Sequence, residues 1–263
     1  MSTHFTIRYT SLPKASTGTC EGREGQKSMI FLFMIPKIIH YCWFGGKEKS
    51  EDVKCLIGTW KKYCKGYVIK EWNESNFDIN QCAYCRDAYL HKKWAFVSDV
   101  ARLWALYHEG GIYMDTDVEV LRPLDDLLEH KAFLGFEGTQ WIATNIIGAE
   151  PKNELIGKFL NSYQQREFIK ADGSLDQTTN VEEWTRMLTH SYGLILNGEK
   201  QQIHDFTIYP SEYFTPYDYL NGKITCTPKT YTIHWFSQSW IGNSKWRTKL
   251  SQLFHRLIGI KMK

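Results

Sequence analysis

No apolar run in this 263-residue chain is long enough to cross a bilayer: Met29 to Ile35 is seven residues, against the ~20 a spanning helix needs. Lys27 ahead of that run imitates the basic start of a secretory signal. Pro36 and a strand-like segment then stand where a small-residue cleavage site would be, so neither a membrane span nor a cleaved leader is expected. Charge of one sign is scarce as well. The 32 Lys and Arg against 29 Asp and Glu leave a formal +3, too small to argue for nucleic acid as the main partner, since phosphate-backbone binders carry a strongly basic face. The seven cysteines are odd in number and irregularly spaced, which argues against a disulfide framework and for free thiols in a reducing cytosol. Cys82 and Cys85 form one CxxC pair, but Cys55, Cys64 and His91 do not complete a zinc pattern around it. Internal repeats and low-complexity tracts are absent too.

What the chain does have is apolar and aromatic mass. Hydrophobic residues are 43% of it and aromatics 15%, with ten Trp and fifteen Tyr. That supports a real core, and it suits stacking against flat ligands such as bases and sugars. Residues 1–34 show no clear period and read as a leader outside the fold, with Met29 and Met34 as alternative starts. From Lys37 the pattern becomes ordered. KIIHYCW reads as a strand, Gly45-Gly46 as its break, and Ser50 as the cap of a helix through Leu56 and Trp60. GYVIKEW gives a second strand, so the opening is a βαβ unit with parallel strands. Phe96, Val100, Leu103, Leu106 and Tyr107 recur at helical spacing over about Trp94 to Glu109, and Gly110-Gly111 stop that helix. The strand GIYM follows, ending at Asp115, and AFLGFE and WIATNIIGA read as later strands. Helices are expected near Asn153 to Arg166 and Val181 to Tyr192, with late strands around Thr207 to Tyr209 and Tyr231 to Phe236. The class is α/β, a mixed, mostly parallel sheet flanked by helices, whose ligand crevice opens at strand carboxyl ends. That places a site around Trp43, Asp99 and Asp115.

Asp115-Thr116-Asp117 puts two carboxylates at a strand end, where they can hold a hard divalent ion, Mn²⁺ or Mg²⁺, against two phosphates. Such an ion stabilises the charge that develops on a departing diphosphate. A solvated acidic turn is the plain alternative, and the apolar strand before the motif favours the site. Asp99 and Arg102, three apart, share a helix face. They are either a surface ion pair or contacts for donor hydroxyls and phosphate oxygens. His234, Ser239 and Trp240 follow a late strand and suit either metal and phosphate contacts or a core. Trp43, before the glycine turn, suits base stacking or core packing. Asn145 on an apolar strand needs a polar partner, either a substrate hydroxyl or neighbouring backbone. Glu137 and Asn145, on the strands after the acidic motif, are candidates to line an acceptor side.

Taken together, IPKIIHYCWFGG, AFVSDVARLWALYHEGGIYMDTDVEV, TNIIGA and HWFSQSW resemble glycosyltransferase family 32, the DXD sugar transferases of capsular and mannosyltransferase type. The likeness spans Ile35 to Trp240 and extends to the catalytic core of the large glucosylating toxins. It implies a GT-A fold over residues 35–243 and a retaining hexosyltransferase working in cell-surface polysaccharide or lipopolysaccharide assembly. The implied donor is a UDP-sugar first and GDP-mannose second. By position, Trp43 corresponds to the base-stacking aromatic, Asp99 and Arg102 to donor-sugar contacts, and Asp115 and Asp117 to the metal motif. His234, Ser239 and Trp240 match the C-terminal metal and phosphate loop.

Residues 244–263 carry six Lys or Arg and no Asp or Glu. Trp246, Leu250, Leu253, Phe254, Leu257 and Ile258 share one helical face there. A basic amphipathic helix of this kind either packs on the domain or lies on an anionic membrane. The membrane reading places a cytoplasmic enzyme on the inner face of the membrane, near a lipid-linked oligosaccharide acceptor. Two other functions compete. An aspartyl-phosphate phosphatase also uses DxD after an apolar strand, but it wants that motif on the first strand, and here a βαβ unit precedes it. A non-catalytic nucleotide-sugar sensor would have no need of Asp99, Arg102, Asp115 and Asp117 intact.

Overall fold

A computed structural model describes residues 35–237. The elements run β1 (Ile38–Cys42), α1 (Glu51–Tyr63), β2 (Val68–Trp72), α2 (Ala83–Leu90), α3 (Trp94–Glu109), β3 (Gly111–Met114), β4 (Val118–Val120), β5 (Ala132–Glu137), β6 (Trp141–Ala149), α4 (Glu154–Ser162) and α5 (Asn180–Tyr192). They continue through β7 (Gln201–Ile203), β8 (Phe206–Tyr209), α6 (Ser211–Phe214), β9 (Tyr217–Asp218), β10 (Lys223–Ile224) and β11 (Thr232–His234). The main sheet has seven strands in the order β2-β1-β3-β6-β5-β8-β7. Strands β2, β1, β3, β5 and β8 point one way, and β6 and β7 run against them. The mixed, mostly parallel sheet and the opening parallel βαβ unit are therefore as expected.

Local chemistry sets the boundaries. Ser50 caps α1 by accepting from the Val53 N–H at 3.4 Å, which satisfies one of the donors a helix start leaves open. Leu56, Ile57 and Trp60 form the buried face of α1, each such side chain contributing about 1.5–3 kcal/mol by leaving water. The same helix fastens the strand beyond the acidic motif. Trp60 Nε1 donates to the Val118 carbonyl at 2.8 Å, and the Val120 N–H donates to Thr59 Oγ1 at 3.0 Å. Helix α3 ends at Gly110, whose φ of +65° is left-handed. A Cβ there would lie 2.7 Å from Pro151 and 2.9 Å from Pro36, so only glycine lets the chain turn straight into β3.

Alternate residues of each strand feed two buried clusters, as a period of two requires. Tyr113, Leu134, Ile147 and Phe206 join the side covered by α2 to α5, whereas Ile112, Met114, Phe133 and Ile146 join the side covered by α1, β4 and α6. The helix expected over Asn153 to Arg166 is shorter, α4 giving way to a 3-10 turn at Tyr163–Gln165. The strand expected over Tyr231 to Phe236 is β11 alone, ending where the chain bends onto Asp117. No helix among the described residues is long and apolar enough to cross a membrane. The expected leader 1–34, Ser239 and Trp240, and the expected basic helix 244–263 lie outside the described residues.

Candidate active site

The carboxyl ends of β1, β3 and β5 and the amino end of β6 lie at one edge of the sheet, and a cavity of about 660 Å³ opens there. Its walls bring together Trp43, Asp99, Arg102, Asp115, Asp117, Asn145 and His234. Every expected site residue within the described range therefore meets in one place.

The centre is a buried charge network. Arg102 Nη2 lies 3.0 Å from Asp99 Oδ1 and 3.4 Å from Asp115 Oδ1. Nη1 donates to the Thr144 carbonyl at 2.9 Å, and the guanidinium covers the Tyr113 ring at 4.4 Å. Asp99 and Arg102 are each only 6% exposed, so the surface ion pair weighed from the sequence is excluded. Arg102 is the positive hub that lets two carboxylates sit side by side. Asn180, at the start of α5, donates to Asp99 Oδ1 at 2.8 Å, and the Tyr113 hydroxyl donates to Asp115 Oδ1 at 2.8 Å. Burial pushes Asp99 up to about 6 and also raises Asp115, while Arg102 pulls both down.

Strand β6 supplies the opposite wall through an irregularity. Gly135 of β5 pairs Ala143 and Phe133 pairs Gly148, so Leu134 alone spans the four residues from Thr144 to Ile147. Such a bulge re-aims backbone groups. Here the Thr144 carbonyl turns to Arg102 and the Asn145 carbonyl accepts from the Asp115 N–H at 2.8 Å. The Asn145 side chain is 2% exposed, and neither its Oδ1 nor its Nδ2 has a partner. A buried amide left open on both sides is costly, and this one faces the cavity.

Antiparallel pairing of β11 with β4 sets His234 opposite Val118, one residue beyond Asp117. His234 Nε2 lies 3.2 Å from Asp117 Oδ1, while the Ser237 N–H and hydroxyl donate to Asp117 Oδ2 at 2.8 and 3.0 Å. Burial opposes charge on both partners, but the pairing outweighs it. His234 is held above its ordinary value, and Asp117 is held down to about 2. Ligand atoms of Asp115, Asp117 and His234 lie within 4.8 Å of one another, and His234 Nδ1 is buried without a partner. Two carboxylates and an imidazole so placed fit a divalent ion such as Mn²⁺ or Mg²⁺.

At the far wall, Trp43 Nε1 donates to the Lys47 carbonyl at 2.6 Å, and Lys49 Nζ sits 5.5 Å over its ring while bound to Glu71 at 2.6 Å. Gly45 has a φ of +90°, and a Cβ there would strike Trp94 at 2.6 Å, so the glycine turn packs closely beside the cavity.

Residues 50–134 match the family described as the glycosyltransferase sugar-binding region containing the DXD motif, and Asp115 to Asp117 are that motif. That segment, under half of the chain, is similar to the DXD-motif glycosyltransferases. Glucan organizing enzyme 1 of Cryptococcus neoformans var. grubii is 35% identical over 83 residues, 28% of this chain and 23% of that protein. An uncharacterized glycosyltransferase of Acanthamoeba polyphaga mimivirus is 24% identical over 228 residues, 81% of this chain and 86% of its own length. A mannosyl phosphorylinositol ceramide synthase of Saccharomyces cerevisiae is 27% identical over 137 residues, 49% of this chain and 35% of that protein. The match therefore spans about a quarter of the Cryptococcus protein's length and about a third of the Saccharomyces protein's.

Tyr113, Thr144, Asn180 and Ser237 belong to the site and were not singled out in the sequence. Asn180 is 81 positions from Asp99, and nothing in its neighbourhood announces the contact. Ser237 had a signal, since it lies inside HWFSQSW.

Proposed function

We propose that this protein is a retaining, metal-dependent hexosyl- or N-acetylhexosaminyltransferase, taking its sugar from a nucleotide-diphosphate donor, UDP-linked first and GDP-mannose second. The observation that carries the reading is the convergence of Asp115, Asp117 and His234 at a cavity also walled by Trp43, Asp99 and Arg102. Asp115, Asp117 and His234 would hold Mn²⁺ or Mg²⁺, which when bound supplies positive charge for the donor's diphosphate. Trp43, braced on one side by Lys49, presents its indole for the base. Asp99 is available to accept from a donor-sugar hydroxyl, and Asn145 can both donate to and accept from another. Arg102 keeps Asp99 and Asp115 ionised and in register, so the anionic pocket does not have to reorganise when substrate arrives. Ser239 and Trp240 are assigned with His234 to the C-terminal metal and phosphate loop by family resemblance. A saccharide or lipid-linked oligosaccharide acceptor in cell-surface polysaccharide or lipopolysaccharide assembly, at the inner face of the cytoplasmic membrane, fits the basic composition of 244–263.

Calorimetric titration with UDP and GDP, with and without Mn²⁺, tests the reading. One nucleotide should bind at least about tenfold more tightly when the metal is present, and Asp117→Asn should abolish the difference. Equal binding with and without metal contradicts it.

A further inference from the structure

We propose that the hairpin joining β5 to β6 is the acceptor subsite, with Trp141 as the plate for a neutral pyranose and Glu137 as the carboxylate that receives one of its hydroxyls. The inference rests on the sugar-transfer reading of the cavity and gives that cavity its second substrate.

Glu137 ends β5 and Trp141 begins β6, and the two are directly paired across the hairpin. Both line the cavity at the edge that carries the acidic motif. Among the described residues six large apolar side chains are exposed, and Trp141, at 46%, is the one that faces the cavity. An indole left half in water at the mouth of a polar cavity offers a flat apolar face and an N–H, the combination suited to the C–H face and hydroxyls of a sugar ring. Beside it, the half-buried Glu137 carboxylate makes no hydrogen bond or ion pair with any described residue. A carboxylate partly removed from water without a donor is incomplete. A ligand hydroxyl completes it.

The hairpin is held from behind. The Ile142 N–H donates to Thr185 Oγ1 of α5 at 2.9 Å, Gln140 Nε2 reaches the Leu196 carbonyl at 3.3 Å, and a Cβ on Gly198 would meet Thr139 at 2.8 Å. Plate and carboxylate are thus positioned before any ligand arrives, which lowers the ordering cost of binding. An aromatic ring next to a carboxylate also suits an ammonium group. The sugar-transfer reading of the cavity favours a neutral hydroxylated ligand, and the ammonium alternative is what the lysine-bearing peptide tests.

The test is ligand-observed NMR on the full chain with Mn²⁺ and the nucleotide it prefers, probing lactose, maltose and mannobiose against a lysine-bearing peptide. At least one disaccharide should receive saturation from the protein, with affinity falling about tenfold or more in Trp141→Ala and recovering largely in Trp141→Phe. Glu137→Ala should weaken the same ligand. Wild-type binding of the peptide alone, of no disaccharide, or disaccharide binding untouched by Trp141→Ala and Glu137→Ala each overturns the subsite. Failure of the donor reading is separate, since it shows as loss of metal-dependent nucleotide binding in the wild type. Where turnover is available, Trp141→Ala should also lower the ratio of transfer to donor hydrolysis.

Discussion

Replacing Arg102 by alanine should do more damage to the fold than any other single change at the site. Its guanidinium answers Asp99 at 3.0 Å, Asp115 at 3.4 Å and the Thr144 carbonyl at 2.9 Å, at 6% exposure. Removal leaves two carboxylates facing each other in a poorly hydrated pocket, a loss of about 3–5 kcal/mol for a broken buried pair. For a domain of this size that is roughly 6–20 °C in Tm. The loss should depend on pH in a defined direction. Asp99 stands at about 6 in the folded protein against an ordinary 3.8, so the folded state binds its proton more tightly than the unfolded one. Its contribution is therefore full below about 3.8 and declines as pH rises through about 6. Without Arg102 its folded value climbs further, and protonation can neutralise the orphaned pair. Urea unfolding followed by tryptophan fluorescence should thus show a smaller deficit at about pH 5 than at about pH 8. If the alanine protein does not fold, Arg102→Lys, which keeps the charge but not the planar fork, should show the same trend at reduced size. A deficit under about 1 kcal/mol, or one equal at both pH values, would refute the buried-hub account.

Two further outcomes follow from the same geometry. Because His234 is held above its ordinary value by Asp117 and must lose its proton to accept a metal, Mn²⁺ affinity measured by calorimetry should rise from about pH 6 to about pH 8. A flat profile would remove His234 from the ligand set. A Cβ added at Gly148 would fall 2.0 Å from Phe133, so Gly148→Ala should cost about 1–3 kcal/mol by overpacking. An unchanged melting temperature would mean that this part of the core yields more readily than described.

The legible parts of the molecule were those written in local chemistry. Ser50, Gly110, the apolar strand GIYM and the Thr207 to Tyr209 strand mark their own boundaries, because caps, left-handed glycines and short-period patterns act over a few residues. Asp115 and Asp117 were legible as a strand-end pair, and Asp99 and Arg102 as one helix face. Their burial was not, since it depends on α5 bringing Asn180 and on the β6 bulge turning Thr144 toward the guanidinium. The short helix α2 carries no Ser, Thr, Asp or Asn cap to mark its start, because Cys82 takes that role by accepting from the Cys85 N–H. The pairing of β4 with β11 joins residues more than a hundred positions apart, and no periodicity within either strand encodes its partner. That pairing is what turns His234 from an ambiguous core residue into a neighbour of Asp117.

Release of nucleotide diphosphate from a panel of UDP-sugars and GDP-mannose tests the central claim most directly, with a metal-free sample and Asp117→Ala as controls. The account predicts release from one donor in the presence of Mn²⁺, lost in both controls. No release from any donor, together with metal-dependent cleavage of a phosphate ester that requires Asp115, would contradict it and make the acidic pair a phosphatase centre.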